Sequence, residues 1–328
     1  DLVQIKLNRQ GLNPLQDFIS FFSLLNKLNK IKPDLVIAYT IKPVIYSGLA
    51  IRFQNLFLRK EVKYFPLITG LGFAFTKSER TFLRRLVSII IREFLKVSLK
   101  YATKIIFQNR DDKKFFYENS IILKQNKTHI VNGSGVNLEV YPEKKMPNNL
   151  IFLMIARLNE DKGVREYLAA AEMIKSKYPE VKFELAGGFD NYPYSINKEE
   201  IKMYIEKGTI NYLGELQSVQ NALERCKVFV LPSYREGTPR TVLEAMATGR
   251  PILTTDVPGC RETVLNGYNG FLVKHNDIKS LFSGMLKILN CSKKQLSIMG
   301  KNSNKIAKEK FDVHDVNRKL IDIFFERI

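Results

Sequence analysis

Leu231-Pro232-Ser233-Tyr234-Arg235-Glu236-Gly237-Thr238-Pro239-Arg240-Thr241-Val242-Leu243-Glu244-Ala245-Met246-Ala247-Thr248-Gly249-Arg250-Pro251 reads as the end of a buried strand, a turn, and a helix marked at both ends. Thr238 is a good N-cap, Pro239 suits the first helical position, Gly249 suits the stop and Pro251 forbids continuation. Glu236 then lies in the loop at the carboxyl end of a parallel strand, where open α/β sheets bind ligands. Glu244 lies in the second turn, and helical side chains lean toward the N-terminus, so both carboxylates can face one crevice. Amides of the first turn, around Gly237 and Arg240, offer an anion site. The plainer reading makes Glu236 a solvated loop residue and Glu244 the partner of a nearby arginine.

A second strand end is of the same kind. The apolar run Ile151 to Ala156 leads into Arg157-Leu158-Asn159-Glu160-Asp161-Lys162-Gly163 and then a helix. A guanidinium, an ammonium and helix amides at one strand end suit a diphosphate. One such pair of charges in a loop is common; two such sites on one sheet edge are less so.

Working outward, Val-, Ile- and Phe-rich runs alternate with segments of helical period, the mark of parallel sheets wrapped by helices. The sequence predicts strands at Asp34 to Tyr39, Lys63 to Ile68 and Lys104 to Gln108 in a first half. It predicts helices at Leu15 to Asn29, Val44 to Phe57, Ser78 to Lys100 and Asp111 to Glu118. Asn132-Gly133-Ser134-Gly135-Val136-Asn137, Tyr141-Pro142 and the polar stretch to Asn149 read as a linker. Further strands follow near Ile151 to Ala156, Val181 to Ala186, Ile210 to Leu213, Val228 to Leu231, Ile252 to Thr255 and Gly270 to Val273, then two or three helices from Ile278. The expected domains are therefore residues 1–142 and 143–328, with the last helix possible as a return to the first domain.

Composition agrees with a globular protein rather than a disordered or fibrous one. The 328 residues are 45% hydrophobic and 26% charged, enough for two domains with their own cores. Cys226, Cys260 and Cys291 are odd in number and widely spaced, which supports neither a disulfide framework nor a zinc site and fits a reducing cytosol. No run of eighteen apolar residues and no signal peptide is found. Residues 1–148 hold 25 Lys/Arg against 11 Asp/Glu and the rest 27 against 22, so +14 of the net +19 lies in the first half, where an anionic partner is expected.

The Glu-x7-Glu of Glu236 and Glu244, Ala-Arg-Leu with Asp-Lys-Gly at 156–163, Tyr-Leu-Gly-Glu at 212–215 and Thr-Asp-Val-Pro-Gly-Cys-Arg-Glu at 255–262 resemble retaining glycosyltransferases of family 4. The resemblance covers nearly the whole chain and implies the GT-B fold: two Rossmann-like, doubly wound α/β domains facing across a cleft. Thr40-Ile41-Lys42-Pro43 and Thr69-Gly70-Leu71-Gly72-Phe73 resemble the bacterial enzymes that extend sugars on a polyprenyl diphosphate, as in capsule, O-antigen and protein-glycan assembly. By resemblance, Arg157 and Lys162 neutralise the donor diphosphate, Glu236 holds donor-sugar hydroxyls and Glu244 binds the ribose. Gly214 and Leu216 lie beside the base, with Gly237, Thr238 and Arg240 also on the donor side. Thr40, Lys42, Gly70 and Gly72 fall on the acceptor side. The implied substrates are a nucleotide sugar, UDP-linked in preference to GDP-linked, and a lipid-linked sugar acceptor.

No protein nucleophile is required by that family's front-face path. His129, His275 and His314 lie outside the motifs and read as structural or surface residues. There is no Asp-x-Asp, and Asp111-Asp112 reads as the first turn of a helix after Asn109, so neither a metal nor another cofactor is expected. The family opens with a strand, a glycine-rich turn and a helix that do not precede Asp1, so the first domain is expected to lack that unit.

Between Lys77 and Lys104 there are eight basic and two acidic residues. Arg92, Lys96 and Lys100 share one helix face, opposite an apolar stripe of Leu83, Leu86, Val87, Ile90, Phe94 and Val97 expected to pack inward. With Lys42, Arg59 and Lys60 this face is expected on an anionic membrane surface, placing the protein at the cytoplasmic side of the cell membrane. An ordinary solvated helix is the plainer alternative. Leu15, Phe18, Phe21, Phe22 and Leu25 are core or membrane-facing. A basic nucleic-acid-binding protein, a glycoside hydrolase using Glu236 and Glu244, and a nucleotide-sugar epimerase are competing readings. No nucleic-acid motif is present, and a neutral glycoside has no use for two cations.

Overall fold

The computed structural model describes residues 4–5, 14–57, 61–71, 82–189 and 195–326. They form two compact units: residues 1–131 with 319–328, and residues 132–318.

In the first unit the order is α1 (Pro14–Ile31), β1 (Leu35–Tyr39), α2 (Ile41–Phe57), β2 (Lys63–Ile68), α3 (Phe82–Leu99), β3 (Ile105–Phe107), α4 (Arg110–Glu118) and β4 (Thr128–Ile130). The described strands make a parallel sheet in sequence order, β1-β2-β3-β4, with Tyr39 opposite Leu67 and Phe107 opposite Ile130. Helices α2 and α3 approach closely because Gly48 leaves room for Ser98, whose hydroxyl donates to Val44 O at 2.8 Å. As expected, Asn109 caps α4, accepting the Asp112 amide at 2.7 Å.

The second unit continues with β5 (Ile151–Ile155), a 3-10 turn at Glu160–Lys162, α5 (Val164–Lys175), β6 (Lys182–Ala186), α6 (Lys198–Glu206), β7 (Asn211–Tyr212), α7 (Gln220–Arg225) and β8 (Val228–Leu231). After these come α8 (Arg240–Ala247), β9 (Ile252–Thr255), β10 (Gly270–Val273), α9 (Ile278–Leu289), α10 (Lys293–Phe311) and α11 (Val313–Phe325). The parallel sheet runs β10-β9-β8-β5-β6-β7. Strand order therefore reverses between β5 and β8, the switch point at which such sheets open a crevice beyond their carboxyl ends. Strand β5 is buried along its whole length, and Phe152 stacks on Phe183 with centroids 5.3 Å apart.

Two expectations are corrected. Residues 132–142 group with the second unit: Val136 N donates to Phe311 O at 2.8 Å, and Gln220 Nε2 to Val140 O at 2.7 Å. The chain's last residues, for which a return to the first domain was possible, group with the first unit, where Phe324 packs edge-on against Phe65 and the buried Lys104 amine donates to Ile323 O at 2.8 Å. Strand β4 was not foreseen, since three residues with a histidine in the middle carry no apolar run.

The second concerns α3. Ser88, Leu95, Ser98 and Leu99 face inward, while Leu86, Ile89, Ile90 and Phe94 are each about half exposed. Apolar residues occupy more than one face of this helix, and the fit of Ser98 into α2 selects the inner one. The stripe expected to be buried is thus partly a surface ridge. On α1, Leu25 and Leu28 are buried, whereas Leu15, Phe18, Ile19 and Phe22, at i, i+3, i+4 and i+7, are exposed. Among the described residues no helix is long and apolar enough to cross a membrane.

Candidate active site

The loops leaving β5 and β8 lie on either side of the switch point and are tied together. Tyr234 N donates to Asp161 O at 2.8 Å, and Ser233 Oγ to the same carbonyl at 3.0 Å. Gly163, at φ 72°, lets the chain turn from the 3-10 helix into α5 while pressed against the Pro232 carbonyl, where a side chain would collide. Through this strap Lys162 Nζ reaches Glu236 Oε1 at 2.5 Å, both side chains largely buried. The ammonium of one strand-end loop and the carboxylate of the other are thus joined, from positions that the sequence treats as separate.

The Glu236 loop is held from the other side as well. Glu236 N donates to Pro258 O at 3.1 Å, and Gly259, at φ 83°, passes so close to the Glu236 and Gly237 carbonyls that a Cβ would overlap them. Below it the Cys260 thiol is fully buried, and burial, with Glu236 nearby, pushes it up to about 12. Tyr234, whose hydroxyl lies 2.5 Å from Glu166 Oε1, anchors the same loop to α5; burial and then Glu166 raise that phenol's pKa.

Arg157 is exposed at the end of β5, between two backbone hydrogen bonds to the neighbouring strand's continuation: Ala156 N donates to Ala186 O and Leu158 N to Gly188 O, each at 3.0 Å. Gly187, at φ 150°, has its α-carbon against the Ala156 carbonyl, and its amide donates to Gly214 O at 2.8 Å. Gly214 and the half-buried Leu216 therefore follow β7, two strands along from Arg157 on the same sheet edge. Gly187-Gly188, with Tyr212 donating to Gly187 O at 2.7 Å, was not singled out in the sequence; a glycine pair directly after a strand was the available signal.

Helix α8 differs from expectation at its start. The cap is Pro239, whose carbonyl accepts from Val242 and Leu243, and the Thr238 hydroxyl turns back to Gly237 O at 2.9 Å. The stop is as read: Gly249 N to Met246 O and Arg250 N to Ala245 O close the last turn. Glu244 is 5% exposed and accepts from Arg240 Nε at 2.9 Å. Burial raises the Glu244 carboxyl pKa, and Arg240 and Tyr141 pull it back in part. Tyr141 escaped the sequence reading because it lies in the stretch taken for a linker.

In the first unit, Thr40 follows β1 and Gly70 lies two residues past β2, so both stand at the carboxyl edge of that sheet. Thr40 has φ 69°, uncommon for a β-branched residue. Lys42 is not part of an outward basic face: its amine pairs with Asp17 at 2.9 Å, where the Tyr46 hydroxyl also donates. Gly72, Arg59 and Lys60 lie outside the described residues. His129 sits inside β4, its pKa lowered by burial and by Lys104 and Lys113. Among the described residues no group of three or more His, Cys, Asp or Glu is placed to hold a metal ion.

Residues 140–306, which span this site, match the family Glycosyl transferases group 1. The chain is similar to the N,N'-diacetylbacillosaminyl-diphospho-undecaprenol alpha-1,3-N-acetylgalactosaminyltransferase of Campylobacter jejuni, 30% identical over 98% of this chain and 85% of that protein. It is also similar to the UDP-Gal:alpha-D-GlcNAc-diphosphoundecaprenol alpha-1,3-galactosyltransferase of Escherichia coli, 26% identical over 97% of this chain and 82% of that one. Its fold matches the sucrose-phosphate synthase of Thermosynechococcus elongatus at a TM-score of 0.77, with 18% identity over 98% and 81% of the two chains. It also matches Anabaena HepE in complex with UDP at 0.74, with 18% identity over 93% and 82%. None of these relatives is an epimerase, a glycoside hydrolase or a nucleic-acid-binding protein by name. With its two parallel sheets, the switch point and the paired loops, the chain belongs to the group 1 glycosyltransferases and has their GT-B fold.

Proposed function

We propose that this enzyme transfers a hexose or N-acetylhexosamine, with retention, from a UDP-sugar to a glycan acceptor carried on polyprenyl diphosphate, in bacterial surface-polysaccharide or glycan assembly. The observation that carries the reading is the Lys162–Glu236 pair at the switch point of the second sheet, with Arg157 on the same edge. A diphosphate arriving there meets two cations, and a hexose attached to it meets a carboxylate already aimed by its ammonium partner. As the anomeric carbon–oxygen bond to the diphosphate breaks, negative charge grows on the leaving group, and fixed cations lower that barrier. The acceptor hydroxyl attacks the same face and its proton passes to the departing phosphate oxygen, so neither a protein nucleophile nor a metal has to enter the step. Glu244 takes a ribose hydroxyl, and the loop at Gly214 and Leu216 meets the base.

The Campylobacter and Escherichia relatives are named for acceptors on undecaprenyl diphosphate, and HepE is described in complex with UDP, which favours these substrate classes. Thr40 and Gly70 at the carboxyl edge of the first sheet take the acceptor side. The exposed apolar ridges of α1 and α3, beside the basic residues Arg92 and Lys96 of α3 and Lys100 just after it, suit peripheral contact with the inner face of an anionic membrane.

The test is a thermal-shift panel of UDP-, GDP- and ADP-sugars, then turnover of the best donor with an undecaprenyl-diphosphate-linked sugar in the presence of EDTA. A shift with UDP-sugars and EDTA-resistant, configuration-retaining transfer are expected. Donor consumption without transfer, or a requirement for added divalent metal, would overturn the reading.

A further inference from the structure

The loop leaving β8 meets the start of α5 through two side-chain steps as well as through the Asp161 carbonyl. Lys162 reaches Glu236, and Glu166, in the first turn of α5, accepts from the Tyr234 hydroxyl at 2.5 Å. Asn276 Oδ1 lies 3.2 Å from the same hydroxyl, and the His275 and Tyr234 ring centroids are 6.2 Å apart, so the chain after β10 flanks this contact. Glu166 is 7% exposed, and its second oxygen, Oε2, is buried without a hydrogen-bond partner. A carboxylate so placed is a poor choice for stability alone. Groups left unsatisfied in this way collect where function constrains the structure.

The two steps respond differently to a donor. Lys162 and Glu236 neutralise each other across their contact. A diphosphate competes for that amine and a sugar hydroxyl for that carboxylate, so the ion pair loosens as the donor seats. Glu236 N to Pro258 O and Tyr234 N to Asp161 O persist as main-chain ties. A side-chain bond that does not depend on Lys162 also persists between the loop and α5: Tyr234 to Glu166, whose buried carboxylate has no attraction for a diphosphate.

We propose that Tyr234 is a positioning residue for sugar transfer: its hydrogen bond to Glu166 keeps the Glu236 loop in place once the donor diphosphate has drawn Lys162 away. This rests on the reading of Lys162 and Glu236 given above. Tyr234 acts through Glu236, two residues further along the loop. Without the phenol hydroxyl the carboxylate is aimed less well at the donor sugar, which costs rate. UDP carries no hexose for Glu236 to hold, so its affinity is spared. A packing role alone would instead weaken UDP and the sugar nucleotide together.

The experiment compares the wild-type protein with Tyr234→Phe, Glu166→Ala, Glu166→Gln and Glu236→Ala. It measures kcat and KM for the faster of UDP-galactose and UDP-N-acetylgalactosamine on an undecaprenyl-diphosphate-linked sugar, UDP affinity by calorimetry, and unfolding in urea. Tyr234→Phe and Glu166→Ala are each expected to lower kcat about 10-fold with UDP affinity held within about twofold, and to cost no more when combined. Glu166→Gln, which still accepts from the phenol, is expected to recover most of what Glu166→Ala loses. If Tyr234→Phe turns over at the wild-type rate while Glu236→Ala is impaired, the proposal fails and the reading of the site stands. A loss of UDP affinity in Tyr234→Phe as large as its loss of kcat overturns it too, as does a Glu166→Gln variant no better than Glu166→Ala. If Glu236→Ala transfers sugar normally, the reading of the site and the proposal fall together.

Discussion

In the second unit, the loops leaving β5 and β8 share Asp161 O, are joined by Lys162 and Glu236, and are propped from behind by Pro258–Gly259. In the first unit, the chain leaving β1 and β2 passes through Thr40 and Gly70 at positive φ, and the neighbouring helices turn phenylalanine, leucine and isoleucine outward. One sheet edge is over-determined and carries opposed charges in a largely dry setting. The other unit keeps its distinctive chemistry on helix surfaces. The contrast teaches that tight geometry is concentrated where bond breaking is proposed, and exposed apolar area where a large, variable acceptor and its membrane are proposed.

The largest effect should come from breaking the joined loops. Lys162→Ala or Glu236→Ala is expected to cut turnover by roughly 10²-fold or more with an unchanged unfolding transition, read by product formation at saturating donor. Near-normal turnover in either folded variant would remove the functional side of the contrast. A smaller effect tests the prop. Gly259→Ala forces a side chain into the Glu236 carbonyl, so it should cost about 1–3 kcal/mol of stability in urea and lower turnover about 10-fold. If instead it is neutral in both, the loop is less constrained than its contacts imply.

The smallest effect belongs to the first unit. Phe18→Glu combined with Phe22→Glu, both on the exposed ridge of α1, should weaken co-sedimentation with anionic phospholipid vesicles about 5-fold, leaving UDP affinity unchanged. Equal vesicle binding by the variant would mean that the ridge serves something other than lipid.

The sequence discloses the second unit more fully than the first, for physical reasons. Its strands β5, β8 and β9 are short, fully buried apolar runs, Pro232 follows β8 and Pro251 precedes β9, and Gly249 and Pro251 mark where α8 stops. The pairing of Lys162 with Glu236 is hidden, because it depends on β5 and β8 being sheet neighbours although β6 and β7 intervene in the chain. Tyr141 is hidden for a related reason: glycines and charges around it resemble a linker, yet Gly133 is there for a close approach to Thr238. Thr238 was read as the cap because its residue type is the commoner choice, while Pro239 already holds the backbone angle required. In α3 the hydrophobic period was right and its direction was not. Nothing local in a helix apolar on several sides says which side meets a serine-sized groove in its neighbour.

The return of residues 319–326 to the first unit has a consequence for biosynthesis. Phe65 and Lys104 emerge from the ribosome before residues 132–318, but their partners Phe324 and Ile323 O only after them. The amino-terminal unit therefore cannot complete its packing in order of synthesis, and must wait, with an aromatic face and a buried amine unmatched, until the whole of the other unit has been translated.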